Sequence, residues 1–235
     1  MDWKLFVLHN GVHYREDIER SVNNSKIYEY VECVERREQT TEVIVADMET
    51  FDAALKYGEG KTCVLNFASF KNPGGGFLKG TVAQEEYLCQ NSTLYNVLSQ
   101  FTSYYEKNRL NTNDALYWNR AIYSPGIVVL PSEVKVDVLS CAAPNIKASR
   151  MIDSRNVQAV ISRIKFVLDI LEKEACDTVI LGAFGCGVFG NDPRFVAKTF
   201  RSQGVLHRGF KRVVFAIPNS KSVNHRAFEE VYSDL

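Results

Sequence analysis

Twice in this chain a short apolar run stops at a glycine-rich stretch that leads into a helical pattern. The first case is TCVLNFAS, then KNPGGGFLKGT, then AQEEYLCQ. The second is TVIL, then GAFGCGVFGNDP, then a helix opening at Pro193 with Asp192 placed to cap it. A continuous apolar run bounded by turn residues suits a strand buried on both faces, and such a strand needs helices above and below it. Further strands are predicted at 42–46 in TEVIVAD, in YSPGIVVL, in VDVLSCAAPN and in KRVVFAIPN. Between them lie a short helix near 48–57 and one long helix over 83–101. DSRNVQAVISRIKFVLDILEKEA keeps the 3.6-residue period, with Asp153 or Ser154 as its cap, and HRAFEEVYSDL closes the chain. KLFVLHN fits either a short strand or a helix face. Residues 26–37 are weakly periodic, and 102–120 read as a polar surface connection. The alternation predicts an α/β fold, a three-layer α/β/α arrangement around a mixed central sheet.

Composition narrows the function. The 235 residues carry 28 Lys and Arg against 28 Asp and Glu, so the net charge is zero; this argues against a broad basic surface for a nucleic-acid backbone. Hydrophobic residues at 46% are enough for one sizeable core, and one domain over 1–235 is expected, with no repeat or linker. No run approaches the roughly 18 apolar residues of a membrane helix. MDWKLFVLHNGVHYRED lacks the basic start and small-residue cleavage site of an export signal. Cysteines 33, 63, 89, 141, 176 and 186 form no CxxC and sit largely in apolar runs, as reduced, buried thiols would. A cytoplasmic or otherwise intracellular protein is expected, with no membrane partner.

Ligands of such sheets meet the loops after the carboxyl ends of strands. Gly74, Gly75 and Gly76 lack side chains, so their amides can approach a ligand and converge on an anion. Glu85 and Glu86 follow on the first turn of a helix. Neighbours there point about 100° apart, so both can line one wall. Acidic residues also favour a helix start for electrostatic reasons alone, and on that ground alone this reading would win; a preceding loop able to bring an anionic ligand there weakens it. One carboxylate could orient a sugar hydroxyl and the other move a proton, which near neutral pH requires its pKa to rise from about 4.3. Spaced glycines at 182, 185, 187 and 190 could form a second anion nest. Phe189 reads as a face for a nucleoside and Phe184 as a core plug.

Other patterns fail on context. GEGKT at 58–62 precedes a strand rather than following one, and Leu55 stands where a Walker loop needs glycine. GCGVFG fits G-x-G-x-x-G literally, but no acidic residue ends the next strand. His9 and His13 lack the glutamate of a zinc-protease helix, and no zinc site stands out. Cys186 has no nearby histidine and reads as a packed thiol rather than a nucleophile.

NPGGGFLKGTVAQEE, residues 72–86, resembles the signature of poly(ADP-ribose) glycohydrolases: GGG, a short spacer, then QEE, here with seven residues, 77–83, between the two parts. NFAS, STLYNVL, YSPGIVVL, SCAAPN and GAFGCGVFGNDP look like the compact microbial type, whose fold is a macrodomain. The resemblance runs from Val43 to the end, leaving 1–40 as an atypical N-terminal extension. It implies hydrolysis of ribose–ribose glycosidic bonds in poly(ADP-ribose), exo-acting, with release of ADP-ribose and no cofactor or metal. Glu86 is then the catalytic acid, with Glu85 holding ribose hydroxyls and Gln84 shaping the pocket. Gly74, Gly75 and Gly76 wrap the distal ribose and diphosphate, and Asn66 and Asn72 contact the ribose. Gly185, Cys186, Gly187 and Val188 hold the diphosphate from the other side, with Phe189 against the adenosine. A monomer acting on poly(ADP-ribose) or ADP-ribosylated protein is implied; nucleic acid enters only as an ADP-ribosylated substrate. Two alternatives share the pocket: a hydrolase of single ADP-ribosyl groups on protein or nucleic acid, and a non-catalytic ADP-ribose reader that would need no paired glutamates. A plain structural domain would bind no nucleotide.

Overall fold

A computed structural model describes residues 2–32 and 40–235. Helices α1 (Trp3–His13) and α2 (Arg15–Asn24) precede β1 (Lys26–Tyr28), β2 (Glu42–Ala46), α3 (Thr50–Tyr57) and β3 (Thr62–Phe67). Then come α4 (Gln84–Gln90), α5 (Leu94–Leu98), α6 (Thr102–Leu110), β4 (Ala121–Val128) and β5 (Lys135–Cys141). The chain ends with α7 (Asp153–Lys173), β6 (Thr178–Leu181), α8 (Pro193–Ser202), β7 (Arg212–Ala216) and α9 (Val223–Tyr232).

The described strands form one seven-stranded mixed sheet in the order β1-β4-β5-β3-β6-β7-β2. Strands β5, β3, β6, β7 and β2 are parallel, while β4 runs antiparallel to both β5 and β1. Side chains alternate between two apolar layers. Leu65, Leu139, Leu181 and Phe215 face one core with Ile164, Val167 and Leu171 of α7, Val196 and Phe200 of α8, and Phe228 of α9. Val64, Val138, Ile180 and Val214 face the other, with Phe51 of α3, Leu88 of α4, Val97 of α5 and Tyr104 and Tyr105 of α6. This is the α/β/α layering expected from the alternation. Among the described residues no helix is long and apolar enough to cross a membrane.

Four local expectations change. KLFVLHN lies in helix α1, whose start is capped by Asp2 accepting from the Lys4 amide at 3.0 Å. The helix expected over 83–101 is two helices. At the break, Asn91 and Ser92 donate their side chains to the carbonyls of Tyr87 and Leu88, at 2.8 and 2.7 Å. Thr93 accepts the Val128 amide on Oγ1 at 3.1 Å, tying the break to the end of β4. Residues 102–120 are not merely a surface connection, because α6 buries Tyr104, Tyr105 and Asn108. Helix α7 starts after Ile152 with no side-chain cap, so neither Asp153 nor Ser154 serves as one. Asp192 does cap α8, accepting the Phe195 amide at 2.6 Å. The described cysteines are unpaired, with 63, 89, 141 and 176 buried; Cys33 lies outside the described residues.

Phe215 sits amid the rings of Phe200, Phe228 and Tyr232, with centroids at 5.5, 5.0 and 4.8 Å, and is fully buried. Phe215→Ala is expected to cost about 3–5 kcal/mol of stability, read as a lowered midpoint in urea unfolding.

Candidate active site

The carboxyl ends of β3, β5, β6 and β7 open into a cleft of about 740 Å³. Phe67, Ala143, Ala183 and Ala216, at or just beyond those ends, form part of its lining. Strand β3 pairs with β6 in parallel, Cys63 beside Val179 and Val64 beside Ile180. The two glycine-rich loops therefore leave neighbouring strands in the same direction. The cleft brings together Gly75, Glu85 and Glu86 from the first with Gly185, Gly187, Val188 and Phe189 from the second.

Glu85 and Glu86 are both buried, at 3% and 5% exposure, on the first turn of α4. Burying two neighbouring carboxylates requires donors, and the preceding loop supplies them. Glu85 accepts the Ser69 amide at 2.7 Å and the Asn66 side-chain amide at 3.3 Å. Glu86 accepts the Gly76 amide at 2.8 Å. Gly75 crosses between them with φ +58, and a Cβ there would stand 2.5 Å from Glu86 Oε1 and 3.0 Å from Glu85 Oε2. Only glycine allows backbone to run this close to both acids. The expectation that the triple-glycine amides converge on a ligand anion meets a different geometry. The Gly76 amide is directed at Glu86, and the Gly75 amide donates to the Asn72 carbonyl at 3.2 Å. Gly74 is buried and, with Gly76, lies off the cleft wall.

The second loop is the open one. Cys186 and Gly190 donate their amides to the carbonyls of Ala183 and Gly187. The amides of Gly185, Gly187, Val188 and Phe189 have no acceptor among the described residues. Gly185 has φ +76, and a Cβ would come within 2.6 Å of the Ala143 Cβ. Four amides of this loop are thus left without an acceptor beside the cleft. Cys186 is half-buried and off the cleft wall. Burial pushes its thiol up to about 12, which suits packing rather than attack. Phe184 is buried against Phe67, centroids 5.5 Å apart, while Phe189 is half-buried and lines the cleft.

Gln84 lines the cleft with its amide already engaged. It accepts the Phe67 amide at 2.8 Å and donates to the Leu65 carbonyl at 2.9 Å, clamping α4 to the end of β3. Asn72 is exposed and lines the cleft. Asn66 is fully buried behind Glu85, bound to it and to Ser140 Oγ at 3.0 Å, and does not reach the cleft. Among the described residues no three His, Cys, Asp or Glu side chains converge to hold a metal ion.

The family profile described as "Microbial-type PARG, catalytic domain" matches residues 6–131, more than half of the chain. The chain belongs to this family. The profile begins inside α1, so it takes in most of the first 40 residues. The poly(ADP-ribose) glycohydrolase (PARG) of Thermomonospora curvata is similar at 30% identity and TM-score 0.84, over 92% of this chain and 89% of that one. The T. curvata PARG bound to the inhibitor ADP-HPD gives 31% and 0.80, over 92% and 88%. The PARG of Deinococcus radiodurans in complex with ADP-ribose gives 33% and 0.81, over 93% and 98%. No curated protein matches the chain.

The cleft of this PARG-family chain is also lined by residues that periodicity did not reveal. Phe70 and Tyr117 stack at 4.5 Å and 15° and line the cleft, and Tyr117 reaches the Phe189 ring at 6.1 Å. Tyr117 came from a segment read as a connection. Ile217, Pro218 and Asn224 complete another wall. A signal for part of this was present: both Ala142-Ala143-Pro144-Asn145 and Ala216-Ile217-Pro218-Asn219 follow strands as Ala-x-Pro-Asn.

Burial pushes the Glu85 carboxyl up to about 8 from an ordinary 4.5, aided by Glu86 and opposed by the Ser69 amide and the Asn66 side chain. Between those values the folded chain keeps a proton that the unfolded chain has released. Unfolding then releases a proton, so stability falls as pH rises. The contribution is whole below about pH 4.5 and lost above about pH 8. Urea unfolding across a pH series should show wild type losing stability relative to Glu85→Gln through this window; a constant difference would contradict the assignment.

Proposed function

We propose that this chain hydrolyses poly(ADP-ribose) and releases ADP-ribose from the chain end, with Glu86 as the catalytic acid. One observation carries the reading: two buried carboxylates on one wall of a cleft whose opposite edge presents four backbone amides without acceptors. Family membership and the likeness to ADP-ribose-bound and inhibitor-bound PARGs support it.

The diphosphate is held by the amides of Gly185, Gly187, Val188 and Phe189, and the Phe189 ring lies against the adenosine. The distal ribose reaches Glu85 and Glu86 beside Gly75, with Asn72 on the same side. Gln84, on the cleft wall, fixes the helix, and Asn66, buried behind it, fixes Glu85. Glu85 keeps its proton up to about pH 8 and can therefore donate a hydrogen bond to a ribose oxygen. It orients the ribose hydroxyls. Glu86 gives a proton to the leaving ribose oxygen as the glycosidic C–O bond breaks. Water then adds to the anomeric carbon and its proton returns to Glu86. Because the two glutamates are adjacent, they do not flank the bond as paired acids of most glycosidases do, and the substrate's own diphosphate steadies the positive sugar.

One domain over 1–235 carries the activity, with α1, α2 and the edge strand β1 contributed by the start of the chain. A single chain supplies every group used, so the active form is a monomer. The unpaired buried thiols support an intracellular setting.

Glu86→Gln keeps an acceptor for the Gly76 amide but has no proton to give. Release of ADP-ribose from polymer should fall by about 100-fold or more, while calorimetric ADP-ribose affinity stays near wild type. Full activity in the variant would remove Glu86 from the role, and absence of ADP-ribose binding by wild type would remove the reading itself. Parallel assays on polymer and on mono-ADP-ribosylated protein separate this function from removal of single groups.

A further inference from the structure

A second cavity of about 640 Å³ lies across the Phe70–Tyr117 stack, and both rings line it as well as the cleft. Its walls come from α6, the segment 111–119 and α7. Its lining is charged, unlike that of a core void. Three cations, Lys107, Arg120 and Arg163, meet one carboxylate, Glu29. Lys107 and Arg120 both bind Glu29, at 2.8 and 3.0 Å. Arg163 is 1% exposed and has no carboxylate partner among the described residues. It donates to the carbonyls of Ala142 and Leu116 and, at 2.8 Å, to Asn119 Oδ1. A buried guanidinium with only neutral partners leaves a positive potential that an anion would offset. Asn111, Asn113 and Ser162 add hydrogen-bonding groups, and Trp118, 48% exposed, adds an indole. Cation, amides, hydroxyl and indole together fit one chemistry: a nucleotide with its phosphate, sugar hydroxyls and base.

We propose that this cavity is a second nucleotide subsite, which holds the ADP-ribose unit on the leaving side of the bond to be cut. The proposal rests on the poly(ADP-ribose) reading above. While Tyr117 turns toward Phe189, Phe70 directly follows Ser69, whose amide binds Glu85, so the Phe70 side of the shared wall adjoins the acid end of the cleft. That is the end from which the leaving oxygen departs, carrying the next unit with it. A free nucleotide shares the same chemistry, and the test separates the two sources.

The test uses the full chain with Glu86→Gln, so that substrate is bound and not consumed. A two-unit ADP-ribose oligomer should bind about tenfold tighter than ADP-ribose, the scale of one base–indole stack. Adding Trp118→Ala should abolish that gain and leave ADP-ribose affinity unchanged. Lys107→Ala, at a side chain 64% exposed, repeats the test if the tryptophan variant does not fold. Equal affinity for both ligands overturns the subsite while leaving the hydrolase reading intact. A second equivalent of ADP binding to ADP-ribose-saturated protein, without a gain for the two-unit ligand, assigns the cavity to a free nucleotide and overturns the polymer assignment. Absence of ADP-ribose binding overturns the hydrolase reading and this proposal together.

Discussion

The parallel pairing of β3 with β6 is the constraint from which the site follows. Each strand alone ends in a flexible glycine-rich segment with no chemistry of its own. Side by side and pointing the same way, they deliver two loops to one cleft, one bringing carboxylates and the other open amides. Parallel neighbours require long crossovers, and here helices fill them, burying both faces of β3 and β6. The same burial that makes these strands continuous apolar runs keeps the pair rigid enough to position groups that must act together.

The two loops divide the electrostatics between them. In the first, backbone amides and Asn66 serve the protein's own acids. In the second, four amides are left over. Two carboxylates on adjacent residues could not both be buried without such donors, and the raised Glu85 shows that the donors only partly offset the cost. The triple-glycine loop thus holds the acids, through the Gly76 amide and the close passage of Gly75. At Gly75 a Cβ would need the space that Glu85 and Glu86 occupy, at Gly74 that of Tyr95, and at Gly76 that of Thr81.

The parallel sheet, the two loops and the glutamate pair were legible in the sequence because burial on both faces and missing side chains leave one-dimensional marks. TCVLNFAS and TVIL can hardly be anything but buried strands. The split between α4 and α5 was not legible, since it depends on Ser92 and Thr93 meeting Val129 and Val128 at the end of β4, more than thirty residues away. Tyr104, Tyr105 and Asn108 of α6 looked polar and proved buried, the two rings in the second apolar layer and Asn108 donating to the Phe70 carbonyl at 2.7 Å. Tyr117 and Phe70 meet only through the tertiary fold. The engagement of Gln84 with β3 and of Asn66 with Glu85 was equally invisible, because a side chain's partner is set by which strand end the helix docks against.

The amino-terminal helices belong to this same machinery through packing rather than chemistry. Phe77, the residue after the triple glycine, is fully buried and touches the rings of Trp3, Phe6 and Tyr95 at 5.2, 6.3 and 5.0 Å. Helix α1 is itself tied to α5, where Asn96 donates to the Val7 carbonyl at 2.8 Å. None of residues 2–32 lines the cleft. The first helix therefore backs the loop instead of covering the pocket. A loop that must hold Gly75 between two acids cannot stiffen itself with side chains, so its rigidity has to come from the apolar anchor on its far side. That anchor is completed by α1, which gives the start of the chain a direct mechanical bearing on where Glu86 sits.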